Sequence, residues 1–134
     1  GLNHNGSFDL ASESVYSAIQ AGCDAVKFQT FITEDFVRDH ALELTYHSQG
    51  KAVSESFYDL CKRHEFQPDW LIPLKKLCDE RNIHFIATPT SPHGVRDLAN
   101  AGCSYVKNGS DFLGHLELLK EMAERGMHGI VSNG

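Results

Sequence analysis

Apolar residues recur along this chain first at helical spacing and then at strand spacing, and the two periods alternate. After Ser7, the residues Leu10, Ala11, Val15, Ala18 and Ile19 fall on one helical face, which predicts a helix capped by Ser7 and stopped by Gly22. A strand follows over residues 25–30. Residues 54–64 read as a second helix, and Pro68-Asp69-Trp70 opens a third that runs to about Glu80, with Leu71, Leu74, Leu77 and Cys78 as its apolar stripe. Then come a strand over 84–88 stopped by Pro89, a helix over 95–101, a strand over 104–107, a helix over 116–124 closed by Gly126, and a last strand over 129–132. Residues 33–53 show neither period. A stretch that long without regular structure is usually functional, so a lid carrying Tyr46, His47, Ser48 and Gln49 and a plain insertion both stand as readings.

Strands alternating with helices imply βαβ units and a parallel sheet. The segment Ala21-Gly22-Cys23-Asp24-Ala25-Val26-Lys27 recurs 80 residues later as Ala101-Gly102-Cys103-Ser104-Tyr105-Val106-Lys107. Each copy places a helix stop, a strand and a lysine in the same order, as successive units of a (β/α) barrel would. An open doubly wound sheet fits the same order, without the glycine fingerprint of its dinucleotide-binding version. Gly1 to His4 read as the exit of a strand, and residues 131–134 as a strand end with no helix after it. An eight-unit barrel needs about 250 residues. We expect a partial α/β barrel, from the end of the first strand through the fifth, with residues 1–134 as one portion of a single barrel domain.

Composition narrows the function. The chain has 134 residues, 12 Lys+Arg against 18 Asp+Glu, and a formal net charge of −6. An acidic chain without a basic cluster does not suit nucleic acid. No apolar run approaches the roughly 18 residues of a membrane span, and the first residues carry no secretory signal. Cys23, Cys61, Cys78 and Cys103 lie far apart in apolar or helical stretches, which predicts buried reduced thiols, no zinc site and a cytoplasmic protein.

Lys27 and Lys107 carry the clearest chemistry. Each follows a valine toward the C-terminal end of a strand in a parallel sheet, where an unpaired ammonium is costly to bury and active sites of barrels lie. A bound anion is the favoured partner; the bland alternative is a side chain snorkelling to solvent. Other strand ends are polar too: Gln29 and Thr30; Thr88, Thr90 and Ser91; Ser110 and Asp111; Ser132 and Asn133. Together they suit a phosphate or carboxylate ligand, while singly each is an ordinary turn or cap residue. His4, in Asn3-His4-Asn5-Gly6, reads equally as an acid, base or metal ligand and as a hydrogen-bonded turn residue. The other histidines show no metal-ligand spacing.

Five ordered motifs carry a resemblance: Asn3-His4-Asn5-Gly6, Val26-Lys27-Phe28-Gln29-Thr30, Phe85-Ile86-Ala87-Thr88-Pro89, Val106-Lys107-Asn108-Gly109-Ser110 and Val131-Ser132-Asn133-Gly134. Over its whole length the chain resembles the N-terminal part of the sialic acid synthase family, which includes legionaminic and pseudaminic acid synthases and spore-coat polysaccharide enzymes. The resemblance implies a (β/α)8 TIM barrel that condenses phosphoenolpyruvate with an N-acylmannosamine-type sugar, giving a nine-carbon 2-keto-3-deoxy acid and phosphate. It implies a divalent metal, Mn²⁺ or Mg²⁺, that polarises the sugar aldehyde, and a homodimer for the full-length enzyme.

Carried over by position, Lys27, Lys107, Ser110 and Ser132 match the family's phosphoenolpyruvate-binding residues, and Gln29 lies in the same motif. Asn3, His4, Asn5 and Thr88 are further rim candidates, and Asp111 is the candidate catalytic carboxylate. Here Asp111 directly follows Ser110 where the family usually has glycine, Phe112 takes the usual acidic position, and Ser132-Asn133-Gly134 replaces Ser-Thr-Gly. The family's first-strand glutamate and its two metal-binding histidines fall outside this chain, so no metal ligand is assigned within it. Two other functions remain open at this point. A related condensing enzyme for a phosphosugar would need a second basic cluster, for which Arg38, Lys51 and Arg96 are too scattered. A non-catalytic half-barrel module would expose strand edges and have to associate.

Overall fold

The computed structural model describes residues 2–134. Helix α1 (Phe8–Gln20) precedes β1 (Ala25–Thr30). Between β1 and the next strand of the same sheet come α2 (Thr33–Phe36), β2 (Glu43–Ser48), β3 (Lys51–Ser56), α3 (Phe57–Arg63), a 3₁₀ turn (Pro68–Trp70) and α4 (Leu71–Glu80). There follow β4 (His84–Pro89), α5 (Pro92–Asn100), β5 (Tyr105–Lys107), a 3₁₀ turn (Ser110–Phe112), α6 (Leu116–Glu124) and β6 (His128–Ile130).

Strands β1, β4, β5 and β6 pair in parallel in that order. Phe28, Phe85, Ala87 and Val106 lie on one face of this sheet and form a core with Val15 of α1, Leu74 and Cys78 of α4, Val95 and Leu98 of α5, and Leu118 and Met122 of α6. Burying a leucine side chain as fully as Leu74 or Leu118 contributes roughly 2 kcal/mol. The helices therefore cover a single face of a sequentially ordered sheet. A doubly wound sheet would reverse its strand order and carry helices on both faces; this is an arc of a (β/α)8 barrel.

The repeated segment has a physical basis. Both copies end a helix with a glycine at φ +74°, Gly22 and Gly102, and the following cysteine N–H returns to the helix, Cys23 to Ala18 O and Cys103 to Leu98 O, each at 3.0 Å. Each stop sets the phase of the next strand, so Val26 and Val106 fall on the helix-covered side and Lys27 and Lys107 on the other. Asn82 makes the same left-handed stop (φ +59°) after α4.

Several expectations are corrected. Residues 33–53 are not irregular: they hold α2 and most of an antiparallel hairpin, β2–β3, turned by Gln49 and Gly50, both at positive φ. Two consecutive left-handed residues make the tight turn whose twist suits a hairpin. Its strands are largely exposed on both faces and so lack apolar alternation; Glu55 anchors them, accepting from the Tyr46 hydroxyl and both terminal nitrogens of Arg63. Arg63 first, then Tyr46, hold the Glu55 carboxyl down to about 2. Residues 54–56 belong to β3, and α3 begins at Phe57 with Ser56 as its cap. The expected exit of a first strand is a turn over residues 3–6, with Gly1 outside the described residues. The last strand ends at Ile130. Cys61, Cys78 and Cys103 are buried and free, but Cys23 is exposed. Burial pushes the thiols of Cys78 and Cys103 up to about 11, so neither is a nucleophile at neutral pH. Among the described residues no helix is long and apolar enough to cross a membrane.

Candidate functional site

Strand alternation sorts the polar candidates onto the sheet face opposite the helices. The register sets Gln29 beside Thr88 and Ile86 beside Tyr105, and one further step along the ladder brings Thr88 beside Lys107. Lys27, Gln29, Thr88 and Lys107 thus share one face, in two rows from three adjacent strands.

Charge on this face is uncompensated. Among the described residues Lys27 and Lys107 have no carboxylate partner, and the Lys107 ammonium donates to the backbone carbonyl of Asn108 at 2.9 Å. Lys27 is exposed and Lys107 half-buried; partial desolvation, and secondly the Lys107 charge, hold Lys27 below the ordinary lysine value. The Thr88 hydroxyl is buried and has no hydrogen-bond partner among the described residues. Two cations and an orphaned hydroxyl on one face are what an anionic ligand would complete.

The loops beyond the strands bring Ser110 and Ser132 toward this end of the sheet. Ser110 starts the 3₁₀ turn after β5, and Ser132 is tied to the residue that follows the same strand by the side chain of Asn108. Asp111 is exposed, with its carboxylate laid so closely on Gly109 that a β-carbon there would collide with it. Ser91, a strand-end candidate, caps α5 instead, its hydroxyl accepting from Gly94 N.

His4 takes its reading as a hydrogen-bonded turn residue, with Nδ1 accepting from Gly6 N at 3.1 Å; its ring is 1% exposed among Phe28, Phe66 and Trp70 and lines the same groove as Lys27. Burial first, then nearby His64, lower its pKa. It is a core and turn residue, flanked by Asn3 and Asn5 in the same exposed turn. Asn3, Lys27, Val26 and Ser17 line a groove of about 410 Å³ along the free edge of β1. A groove of about 450 Å³ between α4 and α5, lined by Leu71, Ile72 and Leu98, lies apart from both lysines.

Sequence reasoning missed Asn108. It occupies the helix-facing position after Val106, where alternation predicts an apolar residue, and a polar side chain at such a position was the available signal. No three His, Cys, Asp or Glu side chains converge among the described residues, so this stretch does not fit the metal that the resemblance implies.

The NeuB family matches residues 14–134. An N,N'-diacetyllegionaminic acid synthase of Legionella pneumophila is 30% identical over 134 residues, covering 100% of this chain and 38% of its own length. The spore coat polysaccharide biosynthesis protein SpsE of Bacillus subtilis is 34% identical over 124 residues, 92% of this chain and 32% of its own. The crystal structure of an N-acetylneuraminic acid (sialic acid) synthetase from Leptospira borgpetersenii, in complex with citrate, superposes with a TM-score of 0.84 at 28% identity, covering 100% of this chain and 42% of that one. The chain thus spans well under half the length of the relatives it matches. With nearly all of its residues within one family match, and a solved relative that superposes over the whole of it, the chain belongs to the NeuB family.

Proposed function

We propose that the protein to which this stretch belongs condenses phosphoenolpyruvate with an N-acylmannosamine-type sugar, and that this stretch, the N-terminal portion of the barrel, supplies much of the phosphoenolpyruvate site. The observation that carries the reading is the pair Lys27 and Lys107, without a carboxylate partner among the described residues and set on one sheet face with Gln29 and the Thr88 hydroxyl. Phosphoenolpyruvate concentrates a carboxylate and a phosphate on three carbons, and an acidic protein must bind it with cations and hydroxyls fixed at one place. Lys27, Gln29, Lys107, Ser110 and Ser132 are the residues we assign to it, with Thr88 beside them.

In the reaction, C3 of phosphoenolpyruvate bonds to the aldehyde carbon of the sugar, water adds at C2, and the tetrahedral intermediate expels phosphate to leave a 2-keto-3-deoxy acid. The lysines hold the anion and stabilise the charge of the departing phosphate. Asp111, exposed beside Ser110, is the carboxylate we assign to the sugar side. Among the described residues no side chains converge into a metal site, and the divalent cation of the family reading would take its ligands from elsewhere in the protein. The reading includes a cytoplasmic enzyme that forms a homodimer at full length. Resemblance to legionaminic, sialic and spore-coat relatives alike leaves the acyl group of the sugar unassigned.

The test is phosphate release by the full chain with Mn²⁺, phosphoenolpyruvate and a panel of N-acylmannosamines. Lys27→Gln and Lys107→Gln are each expected to reduce kcat/KM for phosphoenolpyruvate by at least about 100-fold, the scale of removing a preorganised charge contact. Wild-type values in both variants would overturn the reading. The 134-residue stretch alone is expected to release none.

A further inference from the structure

We infer that Asn108 is a positioning residue, whose carboxamide holds Ser132 in register with the Lys107–Ser110 loop after the backbones of β5 and β6 have parted. The inference rests on the assignment of Ser132 and Lys107 to the phosphoenolpyruvate site.

The last backbone pair of β5 and β6 is Lys107 with Ile130, and the backbone ladder ends where Asn108 N donates to Ile130 O at 3.1 Å. Beyond it the chains must diverge, because residues 110–112 turn into a 3₁₀ helix. The Asn108 side chain takes over at that point. Its Oδ1 accepts from Ser132 N at 2.7 Å, and its Nδ2 donates to Ser132 O at 3.4 Å and to Gly109 O at 2.9 Å. One carboxamide thus bonds Ser132 as another backbone amide would and clasps its own loop as well. Its backbone carbonyl meanwhile accepts from the Lys107 ammonium at 2.9 Å. Two of the assigned site residues, Lys107 and Ser132, therefore bond to one fully buried asparagine, which also holds the carbonyl of Gly109 just before Ser110.

An apolar side chain would fill this position at no desolvation cost, as Val106 does two residues earlier. A carboxamide must have its acceptor and both donors satisfied, and here all three are. Such a fully bonded buried group admits one arrangement of its partners. Little else within the stretch anchors Ser132: Val131 is 60% exposed and Asn133 is exposed. The bonds engage only the Ser132 backbone, so its hydroxyl stays available to a ligand.

The experiment is a double-mutant cycle in the full chain with Mn²⁺, using Asn108→Leu, Ser132→Ala and the pair, with KM for phosphoenolpyruvate and for the sugar measured separately. Asn108→Leu is expected to raise KM for phosphoenolpyruvate about 10- to 100-fold, the scale of an ångström-sized misplacement, and to leave KM for the sugar unchanged. In the Ser132→Ala background its effect is expected to fall to about twofold or less, whereas independent sites would add. Asn108→Asp keeps the volume and the acceptor without the donors. Run through the same cycle it serves if the leucine variant does not fold, since its charge acts alike in both backgrounds. Additive effects, or an unchanged KM in Asn108→Leu, overturn the role of Asn108 while Ser132→Ala still raises KM for phosphoenolpyruvate. A Ser132→Ala variant with wild-type KM overturns the site assignment itself, and the inference with it.

Discussion

The carboxylate of Glu65 accepts the backbone N–H of Thr33 at 2.7 Å, joining the start of α2, just beyond β1, to the loop after α3 across 32 residues of chain. Both residues are buried, and the second Glu65 oxygen pairs with Lys62 Nζ at 2.7 Å. The contact fixes how the chain leaves the strand that carries Lys27 and Gln29.

Glu65→Ala leaves the Thr33 N–H buried without an acceptor, and we expect a loss of about 1–3 kcal/mol in urea unfolding. Glu65→Gln keeps an acceptor for Thr33 and loses the ion pair with half-exposed Lys62, so its loss should be smaller. Equal losses in the two variants would mean that the ion pair, and not the bond to Thr33, matters.

Lys27 is exposed, so holding its charge should cost only a little stability. Partial desolvation and Lys107 lower its folded pKa below 10.5, so between those two values the unfolded chain binds more protons than the folded one. Stability contributed through this group therefore rises as pH increases through that window, and below it the penalty is complete. Lys27→Met is expected to raise the urea midpoint at pH 7.5, to flatten the alkaline rise, and to abolish phosphoenolpyruvate binding, the usual exchange between stability and function at a binding site. A midpoint below wild type would contradict the picture of an uncompensated cation.

His4 should act in the opposite pH range. Its folded pKa is lowered from 6.5, so its neutral form is the stable one, and the stability it contributes is present above 6.5 and lost as pH falls from there toward the lowered value. His64, whose charge adds to the lowering, faces the same site. His4→Asn is expected to cost about 2–4 kcal/mol at pH 7.5 through lost aromatic packing, and to lose less than wild type on acidification to pH 5.5. Unfolding curves at the two pH values decide it.

The helix stops give a purely conformational test. Gly22→Ala and Gly102→Ala introduce a β-carbon that meets nothing within 4 Å, so only the positive φ penalises them. Each should cost about 1–2 kcal/mol. Asn82→Gly, at the same kind of stop, should gain up to about 1 kcal/mol. Thermal unfolding of the three variants checks both signs.

The order of elements in the barrel arc, the helix caps and stops, and the face on which the lysines lie are legible in the residue order alone. These rest on local physics: a serine that caps, a glycine that admits positive φ, and a period of two that sends Val106 one way and Lys107 the other. Tertiary structure decided what local pattern could not encode. The β2–β3 hairpin has no apolar alternation because neither face is fully covered, and its anchors, Arg63 and Tyr46 on Glu55, are visible only in space. His4 reads as a loop residue by its neighbours in sequence and is a core residue by its neighbours in the fold, three aromatic rings from β1 and from the segment before α4. Asn108 reads as a break in an apolar pattern, and the segment after β6, over 20 residues further on, brings the Ser132 backbone groups that, with Gly109 O, satisfy its amide. Buried polar groups are bonded by whatever the fold brings to them, and that depends on distance in space and not along the chain.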